Sequence, residues 1–130
     1  TLSNMKNAGI AVAGIRDETA TLSIRGLNIA VLGFTYSSRF NTVFEIAEGA
    51  ERVRLAKARG EYVIVTFHAG AEGSPAIWHS NEDEPFMGEN RGNTVAFSRA
   101  TLLTCAMCTA TTFDAMRPSA TRRLISCTGG

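Results

Sequence analysis

The sequence predicts an α/β fold built on βαβ units, and three segments carry this prediction. Residues 27–34 and 62–67 are nearly continuous apolar runs, as expected of strands that are covered on both faces. Residues 43–59 lie between them with apolar side chains at helical spacing, and Gly60 follows as a stop signal. A strand, a helix and a strand in succession indicate a crossover between two parallel strands.

The elements before this unit are predicted to be short. Residues 2–8 are expected to end a helix, because a glycine follows them. Residues 10–13 are expected to form a short apolar strand. The alternation in residues 21–25 predicts a half-buried strand, and Arg25 and Gly26 provide a hairpin turn into the strand that follows.

The second half of the chain begins with a long polar loop over residues 69–92, which is rich in glycine. Loops longer than about 15 residues inside compact domains are usually functional or disordered. Residues 93–103 are predicted to form a helix. From residue 104 onward the sequence is rich in Thr, Ala, Ser and Arg, and it has no sustained period. We therefore expect a domain over residues 1–103 and an atypical tail over 104–130, and we hypothesise that this tail is frameshifted and disordered.

Composition limits the classes of function. The chain has 130 residues, of which 45% are hydrophobic and 19% are charged, with a formal net charge of +1. These values suit one globular domain or a piece of one. The balanced charge gives no electrostatic reason to expect nucleic acid as a partner. No apolar run approaches the roughly 20 residues of a transmembrane helix, so no membrane segment is predicted.

The cysteines suggest a metal or redox motif only through their spacing. Cys105 and Cys108 have the C-x-x-C separation of zinc knuckles and redox motifs, and Cys127 is the third cysteine. A second ligand pair or a thioredoxin-like strand and helix would be needed for either function. Neither is present, so the interpretation is an incidental spacing.

The first candidate site follows the strand at residues 62–67. His68 comes directly after this strand, and Glu72 follows on a glycine-rich turn. In open α/β sheets ligands gather at the carboxyl ends of the strands. An imidazole and a carboxylate there suit a divalent metal or an acid/base pair. The alternative is a histidine that ends a strand and hydrogen-bonds a neighbouring carbonyl, and the spacing leaves both open.

The long loop adds a dense set of ionisable residues. They are His79, Glu82, Asp83, Glu84, Glu89 and Arg91. Such a set is consistent with a metal and phosphate site in which Arg91 pairs with an anionic substrate. It is equally consistent with a solvated loop whose charges face water.

Two stretches of this region together resemble a known family. They are "FHAGAEGS" (67–74), followed by His79, and "EPFMGENRGNTVAFSRA" (84–100). This series is similar to the capsule-synthesis or poly-γ-glutamate biosynthesis (CapA-type) family. "AGIAVAGI" and "GLNIAVLGFTY" resemble the preceding strands of that family in the same order, so the resemblance covers about residues 1–100.

The resemblance implies a calcineurin-like metallophosphoesterase fold, a two-sheet α/β sandwich of which this chain is a fragment. It implies that His68 is a ligand of a divalent metal (Mn, Fe or Zn). Glu72 and His79 are implied as catalytic residues, and Glu89 and Arg91 as substrate-binding residues. The implied partners are an anionic polymer or a phosphorylated substrate and other cell-envelope synthesis proteins, in an extracytoplasmic or cell-envelope location.

Two departures from the family pattern limit this expectation. The family's Asp, Gly-Asp and Asn-His motifs are not found in the 130 residues, and neither is its later Gly-His segment. We therefore expect a partial family member, truncated at both ends, that lacks most of the metal ligands. The alternatives are a non-catalytic α/β binding module and a non-functional gene fragment.

Overall fold

The computed structural model describes residues 2–104 and 125–127, and it combines helices with strands, which confirms the α/β prediction. The helices are α1 (Leu2–Asn7), α2 (Ile46–Ala58) and α3 (Thr94–Leu103). The strands are β1 (Ala20–Ile24), β2 (Leu27–Thr35), β3 (Tyr62–His68), β4 (Pro85–Phe86), β5 (Glu89–Asn90) and β6 (Ile125–Cys127). A short 3₁₀ helix spans Ser74–Ile77.

The main sheet has the strand order β1-β2-β3-β6. β1 and β2 form the predicted hairpin, in which Ile24 pairs with Leu27. The two turn residues have positive φ angles, 52° at Arg25 and 81° at Gly26. Positive φ at both positions gives a turn whose twist matches that of the flanking strands.

The predicted βαβ unit is confirmed, because β2 and β3 are parallel and α2 connects them. Helix α2 begins at Ile46, three residues later than predicted, because residues 42 and 43 still pair with the end of β2. Thr42 forms a parallel bridge with Thr35, and the Val43 N–H donates to the Thr35 carbonyl at 3.0 Å. This bonding keeps the chain extended before the helix starts.

The core lies between one face of the sheet and the helices α2 and α3. Phe97 of α3 is fully buried there, with its ring centroid 4.9 Å from that of Phe34 and 5.6 Å from that of Phe67. The buried residues of this core are Ala30, Leu32, Phe34, Val43, Val53, Ala56, Val63, Val65 and Phe97. On the other face of the described sheet, Val31 and Ile64 are only half-buried, so the strands are less covered there than predicted.

The predicted strand over residues 10–13 is wrong. Ile10 bonds back to the first helix, since its N–H donates to the Met5 carbonyl at 3.0 Å, and the bond to the loop after β2 is made by Gly14, whose carbonyl accepts from the Asn41 N–H at 3.1 Å. Gly14 also lies directly against Gly33 of β2, and a Cβ atom on Gly33 would come within 2.9 Å of the Gly14 nitrogen. This close backbone contact requires glycine at position 33. By contrast, the predicted first helix is present; it ends at Asn7, one residue before the predicted end, and Gly9 follows with a φ of 72°.

Beyond Thr104, the tail is described only at β6, which pairs antiparallel with β3. The predictions for the remainder of residues 105–130, including the Cys105–Cys108 spacing and the disorder, fall outside the described residues, and the domain boundary stays a prediction. Within the described residues, no helix has the length and apolar character needed to cross a membrane.

Candidate functional site

The loop over residues 69–92 folds back onto the carboxyl end of β3. The Gly70 N–H donates to the Arg91 carbonyl at 2.9 Å, and the Arg91 N–H donates to the Glu84 carbonyl at 2.9 Å. Between Glu84 and Arg91 the strands β4 and β5 form a small hairpin. The loop therefore has its own backbone bonding, which brings residues near the two ends of the long loop together.

Glu84 is the buried centre of this arrangement, with 8% of its surface exposed. Its Oε2 accepts a hydrogen bond from the Ala71 N–H at 3.1 Å, and its Oε1 accepts from the hydroxyl and the backbone N–H of Thr94. Thr94 is the first residue of α3, whose N-terminus favours a negative charge. Gly70 leaves room for the carboxylate, since a Cβ atom there would lie 2.9 Å from Glu84 Oε2.

These hydrogen bonds decide the protonation state of Glu84. Burial on its own raises the pKa of the carboxyl group. The hydrogen bonds from Thr94, Ala71 and His79 act in the opposite direction and outweigh it, so the pKa of Glu84 lies below its ordinary value. Glu84 is therefore an ionised, buried acceptor at neutral pH.

His79 is oriented by this carboxylate. Its Nδ1 lies 3.0 Å from Glu84 Oε2, and its side chain is 24% exposed. Because an ionised carboxylate can only accept, Nδ1 carries the hydrogen and the other ring nitrogen, Nε2, has no part in this bond. A histidine held in this way is suited to proton transfer or to metal ligation through Nε2.

Arg91 is the second buried ionisable residue of the loop, with 8% of its surface exposed. Its guanidinium carbon lies 4.0 Å from the centroid of the Tyr36 ring and 5.2 Å from that of Phe86. Nη1 is 3.4 Å from a carboxylate oxygen of Glu72, and Nε is 3.7 Å from one of Glu89. The structure thus brings together three residues that the resemblance assigns to one site: Glu72, Glu89 and Arg91.

His68 is the last residue of β3 and is exposed. It pairs with Thr35, the last residue of β2, so it lies at the carboxyl edge of the parallel strands, as predicted. Its ring centroid is 5.7 Å from that of Tyr36. Among the described residues, Glu72 forms its ion pair with Arg91, and no hydrogen bond joins it to His68.

The remaining loop residues differ in burial. Glu82, Asp83 and Glu89 are exposed, as the solvated-loop interpretation expected. Glu84 and Arg91 are buried and do not fit that interpretation. Sequence reasoning named both residues but missed Tyr36 and Thr94, which contact them. The signal that could have indicated Tyr36 is its position two residues after the predicted strand 27–34, close to the carboxyl edge at which His68 was expected.

The residues do not complete the metal site that the resemblance implies. Within residues 2–104 and 125–127, no group of three or more His, Cys, Asp and Glu side chains is placed to hold a metal ion. A catalytic zinc site commonly takes three protein ligands. Metal ligation by His68 therefore stays a prediction.

Comparisons with protein-family models, with curated proteins and with solved structures gave no match for this chain. The resemblance to the CapA-type family rests on the residues quoted from the sequence.

Proposed function

We propose that the chain is a partial CapA-type domain of capsule or poly-γ-glutamate biosynthesis, with the metal-dependent phosphoesterase-like fold of that family. Its site would recognise an anionic polymer or a phosphorylated substrate through Arg91. One observation carries the proposal: a buried arginine lies at the carboxyl edge of the parallel strands and is bound loosely by its neighbours.

Side chains at this edge and in the long loop would have different roles. Arg91 supplies a guanidinium, which suits phosphate and carboxylate groups because of its planar fork of N–H donors. His79, whose Nδ1 hydrogen is held by Glu84, would exchange a proton with the substrate through Nε2. To the family's divalent metal, this chain would contribute the His68 imidazole as a single ligand.

Binding of anions tests the proposal. Two probes separate the substrate classes, namely inorganic phosphate and a short γ-linked glutamate oligomer, each titrated calorimetrically into the folded chain. We expect Arg91→Gln to weaken binding of the preferred probe at least tenfold, since a charge-assisted hydrogen bond contributes about 1.5–3 kcal/mol. The exposed Arg99 offers a matched control, and Arg99→Gln should leave the affinity within about twofold.

The possible results of the two titrations lead to different conclusions. Phosphate binding that depends on Arg91 supports a phosphorylated substrate, and oligomer binding with the same dependence supports an anionic polymer. Failure of both probes to bind, or equal loss of binding in the two arginine variants, would contradict the proposed function.

A further inference from the structure

Tyr36 lies at the proposed site because of the topology of the sheet. It directly follows Thr35, the last residue of β2, and Thr35 pairs with His68 at the end of the parallel neighbour β3. The carboxyl ends of parallel strands share one edge of a sheet. Tyr36 and His68 therefore emerge side by side, although 32 positions separate them in the sequence.

The tyrosine ring contacts two of the predicted site residues. The Arg91 guanidinium lies over the ring, at 4.0 Å from its centroid, and the His68 ring lies at 5.7 Å. The first distance is well inside the range of about 6 Å over which a cation interacts with an aromatic face. Tyr36 thus contacts both Arg91 and His68.

Hydrogen bonds hold the guanidinium only weakly. The nearest acceptor, Glu72 Oε1, is 3.4 Å away from Nη1, and the Glu89 oxygen at 3.7 Å from Nε is beyond hydrogen-bonding distance. Nε is buried and has no hydrogen-bond partner among the described residues. Both carboxylates are more than half exposed, with 55% and 62% of their side-chain surface accessible. The position of the guanidinium is therefore set mainly by the aromatic rings beside it, and the Tyr36 ring at 4.0 Å is closer than the Phe86 ring at 5.2 Å.

Stacking and hydrogen bonding use different parts of a guanidinium. The aromatic ring occupies its face, whereas its N–H groups point outward in the plane. A buried donor without an acceptor is costly and indicates that a partner is missing. An oxyanion is the partner that matches a planar fork of donors, and it would compete with the two loosely held carboxylates.

We infer that Tyr36 is a positioning residue of this site, whose ring holds Arg91 so that the N–H edge of the guanidinium receives an oxyanion of the substrate, a phosphate or a carboxylate. The assignment of this oxyanion to a substrate rests on the proposed function. The placement of Arg91 by Tyr36 is independent of it.

Two substitutions at Tyr36 and one elsewhere test the inference. Tyr36→Leu removes the ring, and Tyr36→Phe keeps it. Tyr62→Leu is the matched control, because Tyr62 is a half-buried tyrosine at the opposite end of β3. The ¹⁵N-labelled chain would be studied by NMR, with the Arg91 Nε–H signal and the His68 ring protons as reporters and inorganic phosphate and the γ-linked glutamate oligomer as probes.

We expect Tyr36→Leu to reduce the ring-current shift of the Arg91 Nε–H signal to what the more distant Phe86 ring causes, to accelerate its exchange with water about tenfold and to weaken binding of the preferred probe about tenfold. Tyr36→Phe should preserve all three within about twofold. Tyr62→Leu should also preserve them, even where it lowers the melting temperature as much as Tyr36→Leu does. Rescue by phenylalanine separates positioning by the ring from a general contribution to folding.

An unchanged Arg91 signal in Tyr36→Leu would overturn the inference, even if the wild-type chain binds one of the probes. Equal loss of binding in Tyr36→Phe and Tyr36→Leu would also overturn it, since the hydroxyl and not the ring would then matter. A wild-type chain that binds neither probe would refute the oxyanion assignment and the proposed function, whereas the NMR signals would still decide whether Tyr36 positions Arg91.

Discussion

At Glu84, donors from three segments of the chain converge on one buried carboxylate. The backbone N–H of Ala71 and the ring of His79 bind one oxygen, and Thr94 binds the other. The carboxylate therefore joins the beginning of the long loop, its middle and the start of α3. It stabilises the backbone on which the proposed site is built.

Replacement of Glu84 by glutamine tests this role. We expect Glu84→Gln to lower the free energy of unfolding by about 2 kcal/mol at pH 7, because a hydrogen bond to a charged group contributes about 1.5–3 kcal/mol and the new amide would face donors. Urea denaturation followed by circular dichroism measures this change. Glu82→Gln, at an exposed position of the same loop, should change stability by less than about 0.5 kcal/mol.

The contribution of Glu84 should also depend on pH. Its pKa in the folded chain lies below its ordinary value, so ionised Glu84 stabilises the fold fully above the unfolded-state pKa of about 4.3. The stabilisation is lost as the pH falls through the folded-state pKa. The stability difference between the wild type and Glu84→Gln should therefore shrink below about pH 4. A difference that stayed constant from pH 7 to pH 3 would show that the carboxylate charge is not what stabilises the loop.

In helix α2, packing against α3 outweighs helix propensity at one position. Gly49 is buried inside this helix, where glycine costs about 1 kcal/mol relative to alanine. A Cβ atom at this position would lie 2.7 Å from Cε2 of Phe97 in α3. Glycine is therefore needed for the close approach of the two helices.

Gly49→Ala should consequently destabilise the chain by about 1–2 kcal/mol, although alanine is the better helix former, because the added methyl group overpacks the core. Combining it with Phe97→Leu provides the check. If the clash with the ring is the cause, Gly49→Ala will cost less in the Phe97→Leu background than in the wild type. Strictly additive free energies of unfolding would contradict this explanation.

Across the whole molecule, Phe97 connects the helices to the sheet. Its ring packs against Phe34 of β2 and Phe67 of β3, and it also contacts α2 at Gly49. Since α3 begins directly after the loop that carries Glu84 and Arg91, this packing also fixes one end of the proposed site.

Phe97→Ala should therefore cost about 3–5 kcal/mol of unfolding free energy, the usual range for a fully buried phenylalanine. Because Phe40 is 47% exposed, Phe40→Ala should cost no more than about 1 kcal/mol. Denaturant unfolding of both variants gives the comparison. Equal losses would mean that the core described around Phe97 does not dominate the stability.

The sequence by itself determined the helices and strands that are specified by residues close together in the chain. The apolar runs of β2 and β3, the helical spacing between them and the Arg25–Gly26 turn predicted the hairpin and the βαβ unit. The same order predicted that His68 lies at the carboxyl edge of the sheet. These predictions succeeded because side-chain periodicity and turn residues act over only a few positions.

Only the tertiary structure decided which polar residues are buried and what they contact. Residues 10–13 were predicted to form a strand, and the structure has none there. The Gly14 carbonyl that follows accepts a hydrogen bond from the Asn41 N–H, 27 positions away. In the sequence nothing distinguishes the charged residues of the loop from one another, yet Glu84 and Arg91 are buried and Glu82 is exposed. Arg91 stacks on a ring from another strand end. Such contacts join segments distant in sequence, so their hydrogen-bond and stacking energies leave no local pattern from which they could be predicted.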